Sequence, residues 1–127
     1  MTLDEFAALS EAEWQRLPAG VRALTSNAQL VVADEADPET LAAMGMSNPL
    51  ELLGLFEGEG MGDGGWTPQT ATFPNRISLF RLPILAYAEE RDDGLDAIVR
   101  HVLVHEIGHH FGLSDADMAA IDGEDYA

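Results

Sequence analysis

Two histidines four residues apart, with a glutamate directly after the first, form the most informative stretch of this 127-residue sequence. They are His105, Glu106 and His109, in the run HEIGHHFGLSD. On a helix, residues four apart share a face, with Cβ atoms roughly 5–6 Å apart, so both imidazoles can bind one metal ion at about 2.0–2.1 Å. Glu106 is rotated by about 100° around the helix axis. Its carboxylate therefore lies beside the metal, where it can accept a proton from an activated water.

The residues after this motif supply a candidate third ligand. Gly112 can end the helix in the left-handed region of backbone space, where glycine carries little penalty. A chain reversed there brings the carboxylate of Asp115 back toward the two imidazoles. Two histidines and one aspartate leave a fourth tetrahedral position for water, as in catalytic zinc sites. Ser114 and the acids after it also fit a helix start with Ser114 as N-cap, and the two interpretations are compatible because a cap can orient a ligand.

Each histidine and the glutamate also have a structural interpretation. His105 and His109 fit partly buried, hydrogen-bonded histidines, and Glu106 fits a surface carboxylate. His101 shares the helix face of His105. We favour for it an exposed position or one behind the ligands over a role as substitute ligand. His110 points away from that face, which predicts a structural role.

A long helix is predicted to carry the motif. Its apolar residues recur at helical spacing, and they are Leu95, Ile98, Val99, Val102, Leu103 and Ile107. The acids Asp92, Asp93 and Asp96 crowd its start, where the helix dipole favours negative charge. The helix is expected to begin near Asp92 or Asp93 and to end near Gly112.

The rest of the chain predicts short elements around that helix. Thr2 and Glu5 have capping-box spacing, which predicts an N-terminal helix ended by Pro18 and Gly20. Short helices are expected over residues 38–44 and after Ser114, and strands over residues 30–33 and 76–80. The second of these strands fits an edge strand open to peptide addition and an ordinary inner strand equally well. Five glycines in residues 58–65 predict a mobile loop; no helix pattern follows, so the formal GxGxxG match is not a dinucleotide site.

The run HEIGHHFGLSD resembles the HExxHxxGxxD signature of zincin metallopeptidases whose third ligand is aspartate. With the stretches LLGLFEG and NRISLFRLP, the chain more narrowly resembles the small bacterial zincin-like proteins sometimes called minimal metalloproteases, over roughly residues 50–121. The resemblance implies a zinc ion on His105, His109 and Asp115, with Glu106 as base. It implies an α+β fold, with a short sheet against a long active-site helix and with N-terminal and C-terminal helices. It also favours a strand over residues 50–56, where the pattern alone fits strand or helix. The length predicts one domain, residues 1–127.

Composition narrows the partners. The net charge is −17, and the chain has no lysine. This composition excludes nucleic acid as a natural partner, because such binding rests on Lys and Arg. The negative charge favours divalent metals and cationic peptides as partners. The acids, among them Glu11, Glu13, Glu89 and Glu90, are interpreted mainly as a solvated surface. Without cysteine there is no thiolate zinc site. No membrane span or signal peptide is predicted, so a cytoplasmic location is expected; nothing indicates the oligomeric state.

Two functions compete at this point. The leading hypothesis is a zinc-dependent metallopeptidase-like hydrolase that acts on a peptide or protein substrate, with Glu106 as general base. The alternative is a non-catalytic metal-binding protein that acts through protein–protein contacts. It is motivated by the lack of a recognisable substrate-clamping subdomain and methionine turn, because Met118 follows Asp115 too closely for that turn.

Overall fold

A computed structural model describes residues 1–25, 27–58, 75–92 and 94–123. Within these ranges the chain forms six α-helices and a three-stranded mixed sheet, which confirms the predicted α+β class. The helices are α1 (Leu3–Gln15), α2 (Ala19–Leu24), α3 (Pro38–Ala43), α4 (Arg81–Arg91), α5 (Leu95–Phe111) and α6 (Asp115–Gly123). The strands are β1 (Ala28–Ala33), β2 (Gly54–Gly58) and β3 (Asn75–Phe80), and a 3-10 turn spans Pro49–Glu51. None of the described helices is long and apolar enough to cross a membrane.

The sheet has β3 at its centre. β3 pairs in parallel with β1 and antiparallel with β2, in the order β1-β3-β2. Ile77 of β3 stands opposite Leu30 on one side and Phe56 on the other. The strand predicted at 76–80 is therefore an inner strand, and its alternative as an edge strand is wrong. Its last four residues are buried, and β1 and β2 flank the strand on its two edges.

The 17-residue helix α5 packs along this sheet and closes the main core. Val99, Leu103 and Ile107 are fully buried on its inner side. They meet Ile77 and Leu79 from the sheet and Phe6 from α1 in one apolar cluster. The predicted arrangement, a short sheet against a long helix flanked by N-terminal and C-terminal helices, is confirmed.

The N-terminal region begins as predicted and ends differently. The Thr2 hydroxyl accepts from the Glu5 amide at 3.1 Å, and the Glu5 carboxylate accepts from the Thr2 amide at 2.7 Å. This capping box starts α1, but α1 ends at Gln15, before the expected stop. Pro18 instead occupies the N-cap position of α2, where its carbonyl accepts from the Arg22 amide at 3.0 Å and its fixed φ suits the entry into a helix.

Two other expectations require correction. Residues 50–56 are split between the 3-10 turn and β2, so the strand begins only at Gly54. The sequence also did not predict α4, which tolerates Pro83 in its first turn because the N–H groups there have no partner within the helix. Asp92 ends α4 in a left-handed conformation instead of starting the next helix, and α5 begins at Leu95. The predicted glycine-rich loop lies almost wholly outside the described residues.

Candidate metal and catalytic site

The last turns of α5 present the motif residues at the border between core and solvent. Ile107 and Gly108 face inward and are buried, whereas His105 and Glu106 are half-buried and His109 is exposed. The helix then ends at Gly112, whose φ of 72° is the left-handed conformation predicted for it. The amides of Gly112 and Leu113 both donate to the Gly108 carbonyl, the latter at 2.9 Å. The chain reversal is thus fixed directly behind the motif.

The two motif histidines lie at a separation suited to a shared cation. Their ring centroids are 5.7 Å apart with the planes at 84°. A metal about 2.1 Å from one nitrogen of each ring, held at a tetrahedral angle, places the two centroids about 5.3 Å apart. Two imidazoles are also the nitrogen donors that zinc prefers. His105 and His109 therefore fit a zinc ion in both chemistry and spacing.

His101 lies one turn earlier on the same face. Its ring is half-buried, and its centroid is 4.1 Å from that of His105 at a tilt of 41°. This is closer than a tetrahedral pair of ligands requires and is typical of packed rings. The position of His101 behind His105 and His109 stays a prediction.

Glu106 lies in a partly desolvated environment beside the histidines. Burial raises the pKa of its carboxyl above the ordinary value, while the charge of His109 and a hydrogen bond from the backbone N–H of Phe56 act to lower it. Burial is the largest of these effects. A carboxylate whose proton affinity is raised, yet which keeps two groups that stabilise its charged form, is suited to accept and release a proton.

Asp115 is the predicted residue that the structure does not bring into the histidine pair. It is exposed and forms the first residue of α6. In the described parts of the chain, no three or more His, Cys, Asp or Glu side chains are grouped to hold a metal. The predicted cap is present, since the Ser114 hydroxyl accepts from the Asp117 amide at 3.0 Å.

A close contact between α5 and α6 sets the position of the chain that carries Asp115. A Cβ atom added to Gly108 would overlap the side chain of Met118, which is 2% exposed. At the far end of α6, the buried Arg100 guanidinium donates to the Ile121 carbonyl at 2.9 Å. The sequence did not predict a role for Gly108. Its signal was a glycine inside a helix, which costs about 1 kcal/mol relative to alanine unless packing requires it.

Comparison with known proteins identifies the family of this chain. The sequence profile of the zincin-like metallopeptidase family matches residues 25–124, which include the sheet and α3 to α6. The chain belongs to the zincin-like metallopeptidase family. Membership makes a metallopeptidase-type hydrolase its function class, and it implies zinc dependence and peptide or protein substrates in general.

A solved structure supports the same fold for this zincin-like chain. It is a conserved hypothetical protein from Thermo thermophilus, 25% identical, with a TM-score of 0.55. The match covers 87% of this chain and 94% of that one. No curated protein matches the chain.

Proposed function

We propose that the protein is a zinc-dependent peptidase in which His105, His109 and Asp115 hold the metal and Glu106 is the general base. The observation that carries the proposal is the half-buried Glu106 carboxylate next to two imidazoles at the separation of a shared cation. Family membership supplies the reaction class. The position of each side chain on α5 follows from the four-residue spacing of the motif.

In this mechanism, Glu106 would transfer protons and the Phe56 backbone would stabilise its carboxylate. When bound, zinc supplies Lewis-acid activation of a water molecule and of the scissile carbonyl. Glu106 accepts the proton of the attacking water and delivers it to the leaving amine. Between these transfers, a hydrogen bond from the Phe56 N–H stabilises the charged Glu106 carboxylate. Peptides with a cationic side chain would be favoured by the net charge of −17, a preference that added salt should weaken.

Asp115 is proposed as the third ligand because of where the chain reversal leaves it. It follows the left-handed turn at Gly112 and begins a helix that Met118 anchors directly behind the motif. Two imidazoles and one carboxylate form the donor set of an open zinc site. We expect the start of α6 to complete the site when metal binds.

The decisive experiment combines metal content with peptide cleavage. The parent should bind one zinc per chain and cleave a mixed peptide library, and a chelator should stop the cleavage. His105→Ala and His109→Ala should each abolish zinc binding, and His101→Ala should leave most of it intact. A parent with no tightly bound transition metal after supplementation would overturn the proposal.

Asp115 has its own test with a matched control. Asp115→Asn should weaken zinc binding by roughly tenfold or more, because one of three ligands loses its charge. Asp117→Asn, in the same helical turn, removes the same charge and should change the affinity little. Equal affinities for the two variants would assign the third position to another residue.

A non-catalytic metal-binding role is the second candidate. It is motivated by His105 and His109 having no third His, Cys, Asp or Glu side chain grouped with them among the described residues. Stoichiometric zinc without cleavage of any library peptide would support this role over the peptidase.

A further inference from the structure

Phe56 on strand β2 contacts two residues of α5 that are one helical turn apart. Its backbone N–H donates a hydrogen bond to Glu106. Its ring stacks on the imidazole of His110, with the centroids 3.9 Å apart and the planes at 20°. Residues 106 and 110 have the i, i+4 spacing that places both side chains on one helix face. A single residue of the strand is therefore held by the helix at both its backbone and its side chain.

The strand register explains why the Phe56 N–H is available to Glu106. In antiparallel pairs, hydrogen-bonded and non-hydrogen-bonded positions alternate. The Phe80 amide donates to the Leu53 carbonyl at 3.0 Å, and Phe56 stands opposite Ile77, three positions further along β2. The pair formed by Phe56 and Ile77 is thus a non-hydrogen-bonded one. The Phe56 N–H points away from β3, toward the outer edge of β2, where Glu106 accepts it.

The contact between His110 and Phe56 is one of ring packing. His110 is half-buried, and its Nδ1 atom is buried without a hydrogen-bond partner in the described part of the chain. Phe111 adds edge-on contacts to both rings, with centroid distances of 4.7 Å to His110 and 5.7 Å to Phe56. Because no hydrogen bond of this ring nitrogen has to be replaced, a phenyl ring can fill the same place.

We propose that His110 is a positioning residue for the general base: its stack on Phe56 holds strand β2 so that the Phe56 N–H fixes the Glu106 carboxylate. This inference rests on the proposed function for the role of Glu106, whereas its structural half can be measured without catalysis. The ring anchors the strand at Phe56, the strand presents its outward N–H, and that N–H limits the orientations open to the carboxylate. A carboxylate held in one orientation transfers protons more efficiently than a mobile one.

The test uses three variants and two measurements. His110→Ala removes the stack, His110→Phe keeps a flat ring, and Glu106→Ala removes the hydrogen-bond acceptor while keeping the stack. Amide hydrogen exchange at Phe56, measured by NMR on the full chain, reports the hydrogen bond directly. Steady-state kinetics on a cleaved peptide, with zinc present, separates kcat from KM.

The expected pattern is specific to positioning. His110→Ala and Glu106→Ala should each raise the Phe56 exchange rate by about tenfold, and His110→Phe should restore the parent rate. In His110→Ala, kcat should fall roughly tenfold with KM nearly unchanged, and His110→Phe should recover most of it. Val21→Ala, a core truncation in α2, controls for general loss of stability.

Several outcomes would overturn the inference. An unchanged Phe56 exchange rate in His110→Ala, or equal acceleration in Val21→Ala, would show that the stack does not hold this hydrogen bond. Faster exchange with an unchanged kcat would remove the link to catalysis. A parent protein that binds zinc but cleaves nothing would refute the proposed function instead, and the exchange rates would still decide whether His110 positions Glu106.

Discussion

Glu106 on α5 and Glu13 on α1, the helix packed against α5, are two carboxyls whose pKa is raised by burial. Glu13 belongs to α1 and is 2% exposed in the interface between the two helices. One of its oxygens is 3.4 Å from the Arg16 guanidinium, and the other is buried without a hydrogen-bond partner in the described structure. Glu106 is half-buried and accepts from a strand amide next to the two histidines.

The comparison shows that a raised pKa alone does not mark a functional carboxylate. At Glu13, burial outweighs the lowering influence of Arg16 and Arg100, and Asp96 raises the pKa further. Those neighbours are side chains of the fold itself, and the group has almost no exposed surface. At Glu106 the neighbours are the two histidines proposed to bind metal, and the residue is only half-buried. Access and donor chemistry, more than desolvation, distinguish the two.

The same substitution at each of the two carboxylates tests this distinction most strongly. Glu106→Gln should lower kcat by roughly a hundredfold to ten-thousandfold, because the proton acceptor is lost, while zinc stays bound. Glu13→Gln removes the same charge and should leave turnover near the parent value. Peptide hydrolysis and metal analysis on both variants give the answer. Unchanged turnover in Glu106→Gln would remove this residue from the mechanism.

A second pair of substitutions tests the contact that holds α6 against α5 behind the motif. Gly108→Ala should reduce the free energy of unfolding by about 1–3 kcal/mol, because the new Cβ overlaps the Met118 side chain. Gly20→Ala, in an exposed helical position with no atom within 4 Å of the new Cβ, should be neutral or stabilising. Chemical denaturation measures both. If the two variants have equal stability, α6 does not depend on this contact.

The smallest expected effect concerns the structural carboxylate and its pH dependence. A raised pKa means that the folded protein binds the Glu13 proton more tightly than the unfolded chain does, so the stabilising contribution of this group is present at low pH. It is lost as pH rises through the raised pKa. Glu13→Gln should therefore be slightly more stable than the parent at neutral pH, and the difference should disappear below the ordinary pKa of glutamate.

Thermal denaturation of parent and Glu13→Gln between acidic and neutral pH tests this linkage. A variant that is less stable than the parent at neutral pH would show that attraction to Arg16 and Arg100 outweighs the cost of burial. Such a result would also reverse the distinction between the two carboxylates, since Glu13 would then be a net stabilising ion.

The interpretation of the acids as a solvated surface is wrong at Glu13. The sequence of α1 did not predict this burial. Glu13 shares a helix face with Phe6 and Ser10, which are also buried, and this face mixes polar and apolar residue types. Only the packing of α1 on α5 shows that this face is covered. The other acids quoted with it (Glu11, Glu89 and Glu90) are exposed as expected.

Local spacing in the sequence determined much of this protein by itself. The four-residue interval of His105 and His109, the helical period through α5 and the glycine at its end depend on neighbours within a few residues, so the sequence predicts them. Ser114 capping α6 is equally local. The same stretch, together with two further segments, carries the resemblance to the zincin-like family, and that resemblance implies the fold class.

The contacts between these local elements follow only from the three-dimensional packing. The central place of β3, the burial of Glu13, the fit of Met118 against Gly108 and the hold of Phe56 on Glu106 all join residues from different elements. Sequence periodicity predicts which face of an element is apolar, but it does not predict which other element will cover that face. Packing makes that choice, and here it also decides which carboxylate remains accessible for chemistry.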